Sequence, residues 1–294
     1  MKKKEHSFMK KFLSIAMSAL LLCSCLAVFA FSAAAANNTY VSDGLLAMYD
    51  AKQNTKTGFD AKATSWYDAT GKGNNIAAVP VDDSCYFKDG YYMNSAKKVL
   101  FPNSIKDLIS SGEFSTELVI GSCEITGTTW GTLLNSSNDQ YSLFYKGADD
   151  TLHLKNTGNP RPHFTEAKKA IQNSTITVTF KAGGDVSIYL NGVLKEKVAA
   201  ATKITADDFY FGHDDPAKSH NTQYKAMRFY SKALTAEQVA ANYKVDTAAS
   251  AGDTSSKPAE SSKPTPGTSD NGIIALAVIS VIAVAGAVAV KKFR

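Results

Sequence analysis

The chain has 294 residues, 44% hydrophobic and 20% charged, which suffices for a sizeable core and is too apolar for a disordered polymer. Its formal charge of +5 sits at the ends. Residues 1–36 hold five lysines against Glu5, or +4, and Lys291, Lys292 and Arg294 add +3, which leaves −2 for everything between. Nucleic-acid binding leans on a basic face that neutralises phosphates, so with this balance nucleic acid is not an expected partner.

The chain opens with Lys2, Lys3, Lys4, Lys10 and Lys11, continues as an apolar run from Phe12 to Phe31, and reaches the small residues Ser32 to Ala36. This is the pattern of a secretory signal peptide over residues 1–36, with cleavage after Ala35 or Ala36. An uncleaved anchor is the alternative, and Leu22-Cys23-Ser24-Cys25 also resembles a lipoprotein box.

From Gly44 to Asp246 short runs of alternating polarity recur between turn residues, which predicts antiparallel strands with one buried face. Thr116 to Gly121 and Thr175 to Phe180 are two of them. A hairpin is predicted where Tyr141–Tyr145 meets Thr151–Leu154 across residues 147–150. Another is predicted where Val186–Leu190 meets Val193–Lys195, because Asn191-Gly192 supplies the two positive-φ positions of a tight turn. Two cysteines follow the signal peptide, Cys85 and Cys123. In an exported chain they could form a disulfide or remain two buried thiols, and no partner at ligand spacing supports zinc.

A helix is predicted over Ala236–Val245, with Thr235 as its cap and Gln238 completing a capping box. Residues 247–271 turn to Ser, Thr, Ala, Pro and Lys, the composition of a disordered stalk. Gly272 to Val290 carries no charge and would extend about 28 Å as a helix, close to a bilayer's hydrocarbon thickness. The basic residues 291–294 after it predict a cytoplasmic tail and a single-pass protein whose domain faces outward. Thr265-Pro266-Gly267-Thr268-Ser269 resembles a Gram-positive cell-wall sorting signal, but has threonine and serine where that pattern has leucine and glycine. A membrane anchor is therefore the default, with wall linkage as the alternative.

Many strands and one late helix give an all-β fold, a two-sheet antiparallel sandwich over residues 37–246. Four segments carry a family resemblance: Gly44–Asp50, Trp66–Asn75, Ile188–Gly192 and Met227–Gln238. In this order they resemble the laminin G-like jelly-roll domains of the concanavalin A-like lectin/glucanase superfamily found on bacterial surface proteins. The resemblance implies a carbohydrate- or protein-binding module, places Trp66 in the core, and leaves calcium possible without specifying a site.

The same fold hosts glycosidases, which need two carboxyl groups at a fixed separation. No Glu-x-Asp-x-x-Glu run is present, and Glu113, Glu117 and Glu124 read as solvated surface charges. Nor is there a Gly-x-Ser-x-Gly elbow. The chain is thus read as noncatalytic, binding a glycan or an extracellular protein, with a structural spacer of the cell envelope and a glycoside hydrolase as alternatives. The expected ligand residues are Trp130, Arg161, His163, His213 and Asp214, a ring, a forked donor and short polar groups suited to a sugar. Asn138-Asp139, Asp149-Asp150 and Asp214-Asp215 are oxygen-rich pairs, although acidic pairs also serve turns. Asp68, Asn74 and Asn75 read as side chains that tie down their own loop.

Overall fold

The structure is a computed structural model, and it describes residues 39–124, 130–155, 161–200 and 203–252. The predicted signal peptide, most of the stalk, the membrane span and the basic tail lie outside the described residues. Among the described residues no helix is long and apolar enough to cross a membrane.

Among the described residues fourteen strands form two antiparallel sheets. The first contains β1 (Leu45–Asp50), β2 (Tyr86–Lys88), β3 (Tyr91–Asn94), β5 (Glu113–Glu124), β10 (Ser174–Lys181), β11 (Asp185–Leu190), β12 (Val193–Ala199) and β14 (Asn221–Tyr230). Its order is β12-β11-β10-β5-β14-β3-β2, and β1 also pairs with β14. The second is ordered β4-β13-β6-β7-β8-β9. Its strands are β4 (Val99–Leu100), β6 (Trp130–Ser136), β7 (Ser142–Lys146), β8 (Thr151–Lys155), β9 (His163–Thr165) and β13 (Phe209–Phe211). Three α-helices accompany them among the described residues: α1 (Asn103–Ile109), α2 (Ala167–Ala170) and α3 (Ala236–Gly252).

The period-2 pattern works as predicted on the facing sides. Phe114, Leu118 and Ile120 from β5, Ile176, Val178 and Phe180 from β10, and Leu143, Tyr145, Leu152 and Leu154 from β7 and β8 enter one core. Trp66 is fully buried there, edge-on to Phe87 at 5.1 Å, as the resemblance implied. Both predicted hairpins form, β7 with β8 and β11 with β12. Asn191 and Gly192 take φ of 53° and 76° at the second turn. Asp68 is a loop tie: its carboxylate accepts from Met48 N, Thr70 N and Oγ1, and Asn74 N, while Asn75 Oδ1 accepts from Asp68 N.

Two sequence readings are corrected. Glu117 is no surface charge. It alternates onto the outer side of β5, but α3 and the segment around Tyr40 cover that side. There Glu117 is completely buried and receives bonds from Arg228 Nε at 2.6 Å, Asn242 Nδ2 at 2.9 Å and Thr177 Oγ1 at 3.1 Å. Next, α3 outlasts Val245 and runs to Gly252, because Asp246 is held by the Arg228 guanidinium, by Thr175 and by Tyr40. Its capping box is as predicted, Thr235 N to Gln238 Oε1 at 2.9 Å and Gln238 N to Thr235 Oγ1 at 3.3 Å. Of the two alternatives left open for the cysteines, the buried thiols hold: Cys85 and Cys123 do not pair, and both are free and buried. Cys85 immediately precedes β2 and Cys123 lies on β5, with β14 and β3 between them. Three inter-strand steps are roughly 14 Å, beyond the reach of a disulfide. Helix α1 is absent from the sequence reading, although Ile105, Leu108 and Ile109 form its buried stripe at helical spacing.

Candidate functional site

The outer side of the six-stranded sheet is open. Strand register arranges its side chains in rows. One row runs Thr132, Phe144, His153, His163 across β6, β7, β8 and β9. A second runs Tyr210, Asn135, Ser142, Lys155 across β13, β6, β7 and β8. A third begins Trp130, Lys146, Thr151. A register shift between Thr132 and Leu134 puts an extra residue in β6, so Leu133 and Leu134 are both buried and Asn135 joins Trp130 and Thr132 on the outer side.

Along these rows lies a groove of about 510 Å³, lined by Trp130, Phe144, Asn135, Tyr210, Lys155, Arg161, His213 and Lys218 among others. Trp130 is 47% exposed, and one side of it rests on Phe144 with ring centroids 4.8 Å apart. Phe144 stacks on His153 at 5.3 Å, and His153 stacks on His163 at 5.3 Å. Asn135 Nδ2 donates to the Tyr210 hydroxyl at 2.8 Å, while its enclosed Oδ1 has no partner among the described residues.

Of the five residues expected to touch a ligand, Trp130, Arg161 and His213 line this one groove. The other two stand beside it. His163 closes the end of its row, with its ring 3.3 Å from Glu196. Asp214 accepts from Lys98 N at 2.8 Å and so shapes the loop that carries His213. Residues 127–129, which precede Trp130 in the chain, lie outside the described residues. Phe144, Asn135, Tyr210 and Lys155 were missed. The outward position of Phe144 was readable from its alternation with Ser142, but that of Asn135 depends on the bulge.

The electrostatics are set by local pairing. Lys155 pairs with Asp139, Lys146 Nζ with Asp149 at 2.6 Å, Lys218 with Asp215 at 3.7 Å, and Lys98 with Asp208 at 4.0 Å. Lys146 also stands 5.6 Å over the Trp130 ring. Partial burial lowers the pKa values of His153 and His213 below the ordinary imidazole value. His213 Nδ1 accepts from Asp215 N at 3.0 Å, which requires that nitrogen to be unprotonated. Of the oxygen-rich pairs, Asp139 and Asp149 are engaged by lysines, Asp150 accepts from Tyr145 and Lys168 N, and Asp215 caps a short turn at Ala217 N. Among the described residues no three of His, Cys, Asp and Glu stand close enough to hold a metal ion. What the groove offers is an aromatic platform, hydroxyl and amide groups, and cations.

Residues 95–240 match the concanavalin A-like lectin/glucanases superfamily. The fold is similar to that of the binding domain of botulinum neurotoxin serotype D, with a TM-score of 0.50 and 18% identity over 69% of this chain and 52% of that one. It is also similar to a Trypanosoma rangeli sialidase solved with sialic acid, with a TM-score of 0.50 and 12% identity over 68% of this chain and 32% of the other. The chain thus spans about half of the first and a third of the second. At such identities the likeness concerns the fold. No curated protein matches the sequence.

Proposed function

We propose, for a chain whose residues 95–240 belong to the concanavalin A-like lectin/glucanases superfamily, that it is a noncatalytic recognition module that binds a saccharide in the groove of its six-stranded sheet. The observation that carries this reading is the half-exposed Trp130 ring, backed by the buried Phe144 ring at 4.8 Å and flanked by polar groups in a groove of about 510 Å³. Sugars present an apolar ring face and a rim of hydroxyls, which such a surface complements. The noncatalytic part is supported by the carboxylates. Asp139 is the one acid among the described groove residues, and Lys155 engages it. Glu117, the acid closest to a catalytic pattern, is locked in a buried ion pair under α3. Retaining and inverting glycosidases both need a pair of acids facing the scissile bond.

Outward display on a membrane anchor belongs to the same reading, on the strength of the apolar run 272–290 and the basic residues after it. The test is a glycan array probed with the full chain in mild detergent, together with a reducing-sugar assay on every glycan that binds. Binding without turnover is expected. Turnover of any bound glycan overturns the noncatalytic reading, and an array without a single ligand overturns saccharide recognition.

A further inference from the structure

We infer that the saccharide taken by this groove is acidic, and that the Arg161 guanidinium receives its carboxylate or sulfate. This rests on the groove being the saccharide site. Among the described residues three cations and one carboxylate line it, Lys155, Arg161 and Lys218 against Asp139. The domain over residues 37–246 is close to neutral, with 22 Lys and Arg against 23 Asp and Glu. The groove lining is therefore richer in positive charge than the domain that carries it.

The cations are not equivalent. Lys155 and Lys218, and the nearby Lys146 and Lys98, each have a carboxylate partner. Among the described residues Arg161 has none, and its side chain is exposed at the groove. A lysine already paired to an aspartate gains little from a second anion. An unpaired guanidinium presents a planar fork of donors that fits a carboxylate or sulfate with two parallel bonds. The aromatic platform faces the same space, so a ring stacked on Trp130 would hold its acidic substituent within the field of Arg161. Neutral hydroxyls would be served by Tyr210, Thr132 and Ser142 on the neighbouring rows.

The deciding experiment presents the full chain with acidic glycans, each paired with its neutral counterpart, carboxyl-reduced for uronates and sialosides and desulfated for sulfated glycans. At least one acidic member should bind at least about tenfold more tightly than its neutral counterpart, the scale of a charge-assisted hydrogen bond. Arg161→Gln should erase that difference while leaving the melting temperature unchanged. Arms with carboxylate and with sulfate separate the two anions. Equal affinity within every pair overturns the inference and leaves the groove as a neutral-sugar site, as does an Arg161→Gln variant that keeps the acid preference. Failure of every glycan to bind would overturn the saccharide reading itself.

Discussion

Arg228 and Asp246 form a bidentate pair at the seam between sheet and helix, Nη1 to Oδ1 and Nη2 to Oδ2, both at 2.8 Å. Arg228 is completely buried, and its third donor goes to Glu117 on the opposite strand. Tyr40 covers the guanidinium with its ring 4.2 Å away. One buried cation thus fastens the chain's opening segment, strand β5 and helix α3 together. Replacing Asp246 with Ala should cost about 3–5 kcal/mol, because Arg228 would keep a buried charge with half its compensation gone. Urea unfolding of Asp246→Ala measures this, and truncation after Val245 should be comparably destabilising. A loss below 1 kcal/mol would mean that water reaches Arg228 when the carboxylate is removed.

Trp130 is expected to separate binding from folding. It is half exposed, and Phe144 beneath it keeps its own packing on His153. Trp130→Ala should weaken saccharide affinity by at least about 1 kcal/mol and leave the melting temperature nearly unchanged. Parallel calorimetry and thermal melting check the two halves. A variant that melts early would make Trp130 a supporting residue of the sheet.

Gly131 is required by the ring behind it. A Cβ there would lie 1.4 Å from His220 Nε2, and His220 is buried against Tyr145. Gly131→Ala should therefore cost about 1–3 kcal/mol through overpacking. Adding His220→Ala should recover part of that loss. If the double variant is simply the sum of the singles, the clash is not the cause.

His220 also predicts an acid-sensitive fold. Among the described residues neither of its ring nitrogens has a partner, and burial depresses its pKa. In the unfolded chain it would take up a proton near pH 6.5, whereas in the folded chain it resists. The unfolded state therefore binds more protons below about pH 6.5, and stability should fall as the pH drops through that value. His220→Phe should flatten the dependence of melting temperature on pH between 7 and 5.5. His153 and His213, depressed for the same reason, leave a residual slope. An unaltered slope in His220→Phe would assign the effect to those two.

The thiols should be silent until the fold opens. Burial pushes the Cys123 thiol up to about 11, and Cys85 is enclosed beside the backbone of Ser95. In a chain that begins at Asn37, which carries only these two cysteines, a thiol reagent should react slowly with the native protein and titrate both thiols in denaturant. Quantitative labelling before unfolding would show that one of these sites breathes.

Much of this protein is decided locally, and that part is legible in the sequence. Alternation places Ile176, Val178 and Phe180 in the core because strand side chains alternate faces whatever lies around them. Asn191-Gly192 makes its turn because positive φ is a property of those residues. Thr235 and Gln238 cap α3 across a single turn of chain. Distant neighbours decide the rest. Glu117 alternates like a surface residue and is buried only because α3, more than a hundred residues later, lies on it. The groove joins Trp130, Arg161 and His213, whose separation in the chain carries no hint of proximity, and one bulge in β6 turns Asn135 toward them. Patterns of period two or 3.6 tell which side of an element is apolar. Which element covers that side, and which loops meet across the sheet, follow from the packing of the whole chain into two layers.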